Sequence, residues 1–238
     1  VILFFKNMLE SKCNKNFLQE KKSVVAKKKS KIVDTKKAEM VNEYNKHYSS
    51  YSDMWAGSER DLFAIKTIGN YLKNYPKTFL DVGCGTGHTV EFFSKNWSDT
   101  ECWGLDLSLV AIDIAKKKIP NATFVCSSVE DFTPRKFDVV VSLGTLEHVE
   151  DYEPMLLKLR ELVGGILYVE VPNCINYVIS EKVEGFRRLN GGSQQMEWHL
   201  YRPTWEKRLM DAGFEIVESI VGPDVYTEFI WILKRAES

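Results

Sequence analysis

Long apolar runs are missing from this sequence. No stretch of its 238 residues approaches the roughly 18–20 consecutive apolar residues that a membrane-spanning helix needs. Val1–Phe5 is apolar but short, with no basic region before it and no small-residue cleavage site after it, so it makes a poor secretory signal. Cysteine is scarce as well. Cys13, Cys84, Cys102, Cys126 and Cys174 are odd in number and scattered, with no C-x-x-C pair. That usage argues against a disulfide scaffold or a cysteine-based zinc site and predicts a reduced, cytoplasmic protein. No internal repeat occurs, and no G-x-S-x-G elbow of a serine hydrolase.

An overall excess of charge is also absent, the formal net charge being −1. The balance hides an asymmetry. Residues 1–40 carry eleven lysines against Glu10, Glu20, Asp34 and Glu39, or +7, which leaves −8 for the remainder. Two parts are therefore expected: a basic, disordered arm over 1–40 and one large α/β domain over 41–238. The arm's other reading is an anchor for an acidic surface or RNA, and translation starting at Met8 or Met40 would shorten or remove it. The acidic body disfavours a nucleic-acid partner.

What the sequence does have is Phe79-Leu80-Asp81-Val82-Gly83-Cys84-Gly85-Thr86-Gly87. An apolar run reading as a buried strand enters three alternating glycines and opens into a helical pattern. Such a loop turns sharply and lets backbone approach a ligand, while the helix after it offers unpaired N–H groups and a positive dipole end. A dinucleotide fingerprint G-x-G-x-x-G needs glycine or alanine at the place of His88, so it fails. Asp81 instead suits a ligand that brings a cationic amino group and would repel a pyrophosphate.

The string Leu80–Gly87, LDVGCGTG, closely resembles the first motif of class I S-adenosylmethionine-dependent methyltransferases. Alternating strand and helix patterns follow: a helix over Ser58–Asn74, strands at Glu101–Leu107, Thr123–Ser127, Phe137–Gly144 and Gly164–Val171, and helices between them. The ending, a helix at Pro203–Ala212 and strands at Phe214–Val221 and Thr227–Leu233, matches that family's closing strands. The resemblance runs from Tyr44 to Lys234. It implies a doubly wound, Rossmann-like, seven-stranded, mostly parallel sheet with one antiparallel strand near the edge and helices on both faces.

The resemblance also implies a cofactor, S-adenosyl-L-methionine, and residues to hold it. These are Asp81, Gly83, Cys84, Gly85 and Gly87 of the first motif, and Asp106 with Leu107 at the tip of the second strand for the ribose hydroxyls. Ser128, Val129 and Glu130 follow the third strand, where relatives place an acid on the adenine amino group. Serine stands there now, so Val129 N–H is left to read the ring, with Glu130 or Asp131 to replace the acid. Leu143 and Gly144 close the fourth strand. The aromatic segment Tyr44, His47, Tyr48, Tyr51 and Trp55 is either a lid over the cofactor or packing at the sheet edge. No metal site is expected.

Methyl transfer from a sulfonium needs a base only when the acceptor arrives protonated. His148, just after the fourth strand, and His199, in an irregular stretch from Asn173 to Arg202, are the candidate bases, ahead of His47 and His88. Glu147 either orients His148 or binds a metal. The segment SLGTLEHV lacks the N-P-P-Y, Pro-Cys and paired-glutamate patterns of adenine, cytosine and protein-arginine methyltransferases. The remaining partner is a small-molecule acceptor, methylated on oxygen or nitrogen. The rival reading is a non-catalytic module that binds the cofactor, or a nucleic acid through its lysine arm.

Overall fold

The computed structural model describes residues 38–49, 58–133, 135–172, 185–188, 196–222 and 228–237. The arm through residue 37, Tyr51, Trp55 and most of the stretch between Asn173 and Met196 lie outside them. The chain divides between Tyr44 and Asn45. The first unit contributes only residues 38–44, the start of helix α1 (38–49). Everything below belongs to the second.

Seven strands form one sheet in the order β3-β2-β1-β4-β5-β9-β8. Strands β1 (Thr78–Val82), β2 (Glu101–Asp106), β3 (Thr123–Cys126), β4 (Phe137–Leu143) and β5 (Val163–Pro172) pair in parallel. β9 (Glu228–Arg235) runs antiparallel to both β5 and β8 (Phe214–Val221), so it is the single reversed strand, one place in from the edge. The chain winds outward from β1 to β3, then returns to lay β4 on the other side of β1. That reversal between β1 and β4 is the switch point at which open α/β sheets bind ligands.

The sheet is buried on both faces because its strands are apolar at successive positions rather than alternate ones. Leu80, Val140, Leu167 and Trp231 point to one side, and Phe79, Val139, Val141, Tyr168 and Ile232 to the other. Asp138 is the exposed exception in β4, and its Oδ2 accepts the N–H groups of Lys77 (2.7 Å) and Thr78 (3.1 Å), fixing the start of β1. Phe79 stacks on Phe93 of helix α3 (His88–Asn96) at 4.5 Å between ring centroids. Truncating such a fully buried ring costs about 3–5 kcal/mol.

Helix α2 (Ser58–Gly69) is shorter than the pattern through Asn74 predicts. Beyond Gly69 the bonds tighten to i→i−3, with Tyr71 N–H on Ile68 O (3.0 Å) and Leu72 N–H on Gly69 O (3.3 Å). Leu72 still packs on the core, so the apolar period survives where the helix does not. Helix α4 (Leu109–Lys118) begins on Ser108, whose hydroxyl accepts Ala111 N–H at 3.1 Å. α5 (Tyr152–Leu162) and α6 (Arg202–Asp211) complete the layers.

The irregular stretch after β5 contains regular structure the sequence pattern did not predict. β6 (Gly185–Arg188) and β7 (Met196–His199) pair antiparallel as a separate two-stranded sheet. Periodicity over four residues is too brief to be read before folding. β7 lies against the 3₁₀ turn Leu146–His148 that follows β4.

Candidate functional site at the carboxyl edge of the sheet

The glycine loop is built by backbone bonds from its neighbour strand. Gly83 and Cys84 N–H groups both donate to Leu105 O (2.8 and 3.0 Å). Gly85 N–H donates to Asp106 Oδ2 (2.9 Å), and Ser108 N–H to Asp106 Oδ1 (2.8 Å). Gly83 has φ +81° and Gly85 φ +50°, left-handed conformations that side chains resist. Space demands glycine too. A Cβ on Gly83 would overlap the Thr145 side chain, and one on Gly85 would lie 2.8 Å from the Tyr48 hydroxyl. The loop after β1 therefore touches the loop after β4, and the last turn of α1 covers its middle. Cys84 is buried with its sulfur toward Gly104, and its thiol donates to Gly85 O at 3.6 Å.

Asp81 is 3% exposed. Burial and the Asp61 carboxyl push its pKa well up, Arg60 opposes them, and Asp106 adds a further upward push. Asp61, from α2, is itself buried, with His88 Nδ1 at 2.9 Å from Oδ2 and Thr89 Oγ1 donating to Oδ1 at 2.9 Å. His88, which breaks the dinucleotide fingerprint, thus ties α2 to the start of α3. A cation placed beside Asp81 would relieve the mutual repulsion of these carboxyls.

At the end of β3, Ser128 Oγ donates to Asp131 Oδ2 at 2.7 Å. Ser128 and Val129 are buried and Glu130 is exposed. An acid absent from position 128 is therefore held against that serine from three residues on. Leu107, half-buried, follows β2, and its carbonyl accepts the Cys126 thiol.

The edge of β4 and β5 is more highly charged. Leu143 is buried, and Gly144 (φ +63°) donates its N–H to Glu170 O at 3.0 Å. Arg60 Nε pairs with Glu170 Oε1 at 2.5 Å, its side chain 24% exposed and that of Glu170 3%. Glu147 is buried, and burial drives its carboxyl up to about 8 against the pull of its own backbone N–H and of Arg60. His148 Nε2 stands 3.8 Å from Glu147 Oε1. β7, which carries His199 at its end, lies against this same turn, so the elements bearing the two predicted histidines are neighbours. Of the weaker candidates, His88 is engaged by Asp61 and His47 sits edge-on to Tyr48 at 5.5 Å.

Sequence reasoning missed Arg60 and Glu170, which lie far apart in the chain and meet only in the fold. The one local signal was Glu170 itself, an acid inside an apolar strand. Among the described residues no group of three or more His, Cys, Asp or Glu is arranged to hold a metal ion.

A family model described as a methyltransferase domain matches residues 57–219. Trans-aconitate 2-methyltransferase of Methylobacterium radiotolerans is 28% identical over 118 residues, 48% of this chain and 45% of that protein. An N,N-dimethyltransferase of Streptomyces venezuelae, acting on dTDP-3-amino-3,4,6-trideoxy-alpha-D-glucopyranose by its name, is 37% identical over 100 residues, 39% of this chain and 41% of that protein. The chain spans about half the length, or less, of these curated relatives. The fold is similar to that of Burkholderia thailandensis 1,6-didemethyltoxoflavin-N1-methyltransferase, solved with S-adenosylhomocysteine. That likeness has a TM-score of 0.64 at 18% identity and covers 84% of this chain and 87% of the other. With its motif, strand order and family match in agreement, this chain belongs to the methyltransferase-domain family.

Proposed function

We propose that the chain transfers a methyl group from S-adenosylmethionine to a small-molecule acceptor, on oxygen or nitrogen. The observation that carries this reading is the buried Asp81 at the foot of the glycine loop. The fit of a cofactor is supported by the charge beneath the loop: the buried Asp81, with the Asp61 and Asp106 carboxyls near it, calls for a cation. In this reading Asp81 and the backbone of Gly83, Cys84, Gly85 and Gly87 hold the amino-acid end. Asp106 accepts the ribose hydroxyls beside Leu107. Ser128, Val129 and Glu130, with Asp131 alongside, receive the adenine, and Leu143 and Gly144 close the site.

S-adenosylmethionine supplies, when bound, a methyl group on a positively charged sulfur. The protein's share is to position the acceptor, exclude water and accept a proton where the acceptor carries one. His148 is the group offered for that proton, with His199 on the adjoining strand as its alternative. The test is calorimetric titration of the full chain with S-adenosylmethionine and, separately, NADH. Micromolar binding of the methyl donor, lost in folded Asp81→Ala and Asp106→Ala variants, is the expected result. No binding to the unaltered chain overturns the reading, and an NADH signal in its place makes the loop a dinucleotide site.

A further inference from the structure

We propose that Glu147 sets the acceptor class: it receives a protonated amine, so the molecule methylated at this site is a basic amine rather than a carboxylate or a neutral alcohol. This deepens the methyltransferase reading and rests on it.

The starting point is an oxygen with nothing to bond. Glu147 is 2% exposed, and its Oε2 is buried without a hydrogen-bond partner. Native proteins rarely leave such an atom, because it forfeits solvation without compensation. A residue kept only for packing would be apolar or fully bonded here. The carboxyl is otherwise met by its own backbone N–H, and Oε1 has His148 Nε2 at 3.8 Å.

Location adds the second step. Glu147 sits on the turn after β4, beside Gly144. A Cβ on Gly144 would lie 3.5 Å from Glu147 Oε1 and 3.3 Å from Arg60 Nη2. The missing side chain leaves the carboxyl and the guanidinium converging beside a residue assigned above to the cofactor. A group bound there is next to the methyl donor.

Charge decides which group. Arg60 carries the guanidinium of this corner, and Glu170, Glu228 and Glu147 all act on it. Glu170 takes the direct ion pair, leaving Glu147 in a negative field with its own charge opposed by burial. A carboxylate acceptor would add another anion beside Glu170 and Glu228. A neutral hydroxyl would bond Oε2 but leave the charge excess standing. An ammonium does both jobs, donating to Oε2 and balancing the carboxyls. On passing that proton to the Glu147 carboxyl, which burial raises to about 8, the nitrogen regains the lone pair that would form the new N–C bond as the methyl–sulfur bond breaks and S-adenosylhomocysteine leaves. The relatives differ on this point by name, one acting on trans-aconitate and another on a 3-amino sugar. The corner described here suits an acceptor of the second kind.

Two measurements on the full chain test this. The first is thermal unfolding of Glu147→Gln and Glu147→Leu without ligand. A carboxyl held for a ligand is a burden on the empty protein, so both variants should melt at or above the temperature of the unaltered chain. A clear drop in both makes Glu147 a structural residue and overturns the proposal. The second is calorimetric titration of the chain saturated with S-adenosylhomocysteine, using matched pairs: benzylamine and benzoate, tyramine and 4-hydroxyphenylacetate, glucosamine and glucuronate. At least one amine should bind about tenfold or more tighter than its carboxylate partner, and Glu147→Gln should cancel that preference. Carboxylates binding equally or better, no amine binding, or an amine preference that survives Glu147→Gln each overturns it. Absence of S-adenosylmethionine binding in the earlier titration would instead sink the methyltransferase reading.

Discussion

The carboxyl edges of β1–β3 and of β4–β5 adjoin at the switch point, yet they are finished to different degrees. On the first, polar groups satisfy one another locally: Asp106 takes two backbone N–H groups and Ser128 reaches Asp131. On the second, Arg60 and Glu170 meet from distant parts of the chain and Glu147 keeps an oxygen without a partner. A pre-bonded edge suits a ligand common to a whole family, recognised the same way each time. An edge with an uncompensated carboxyl suits a ligand peculiar to one member, whose own groups complete the bonding.

Breaking the long-range pair should have the largest effect. Arg60→Ala strands a buried Glu170 carboxyl, and loss of one partner of a buried pair costs about 3–5 kcal/mol. Burial already raises Glu170, with Arg60 pulling it back down. The loss should therefore grow as pH rises and shrink in acid, where a protonated Glu170 tolerates its surroundings. Urea unfolding at two pH values measures it. Gly83→Ala comes next. The new Cβ meets Thr145 in a left-handed conformation, and about 2–3 kcal/mol of strain is expected. By contrast, Asp106→Asn keeps a carbonyl acceptor for one of the two N–H groups and should cost only about 1 kcal/mol while weakening S-adenosylmethionine binding.

Glu147 sharpens the comparison through pH. Its carboxyl is raised from an ordinary 4.5 to about 8 in the folded chain. The folded state then binds the proton more tightly than the unfolded state does. This contribution to stability is full below about pH 4.5 and is lost as pH climbs through about 8. Glu147→Gln removes that slope. A stability profile measured between those values that is as steep in the variant as in the parent would mean the carboxyl titrates normally.

These two edges also differ in how far the sequence discloses them. The loop Leu80–Gly87 is contiguous, so its turn, its acid and its following helix are read directly, and Asp106 follows from its place at a strand tip. The doubly wound sheet and its single reversed strand follow from alternating strands and helices and a closing hairpin. Arg60 carries no such mark: Ser58-Glu59-Arg60-Asp61 reads as an ordinary polar helix start. Its meaning appears only when β5 brings Glu170 beside α2. β6 and β7 were unreadable for another reason, being too short to show a period.

The smallest expected effect concerns the cover over the first edge. Asn45 Oδ1 accepts the Ser108 hydroxyl at 2.7 Å, and the same oxygen of Ser108 accepts Ala111 N–H at 3.1 Å to cap α4. Asn45→Ala removes one acceptor from a fully buried hydroxyl and should cost about 1 kcal/mol. Ser108→Ala loses the cap as well and should cost about 1 kcal/mol more. If the bond is what holds the last turn of α1 over the loop, the double variant will be less destabilised than the sum, by about 1 kcal/mol in a mutant cycle. A purely additive cycle would mean that the turn is held by Tyr48 against Gly85, and Tyr48→Ala should then loosen it where Asn45→Ala does not.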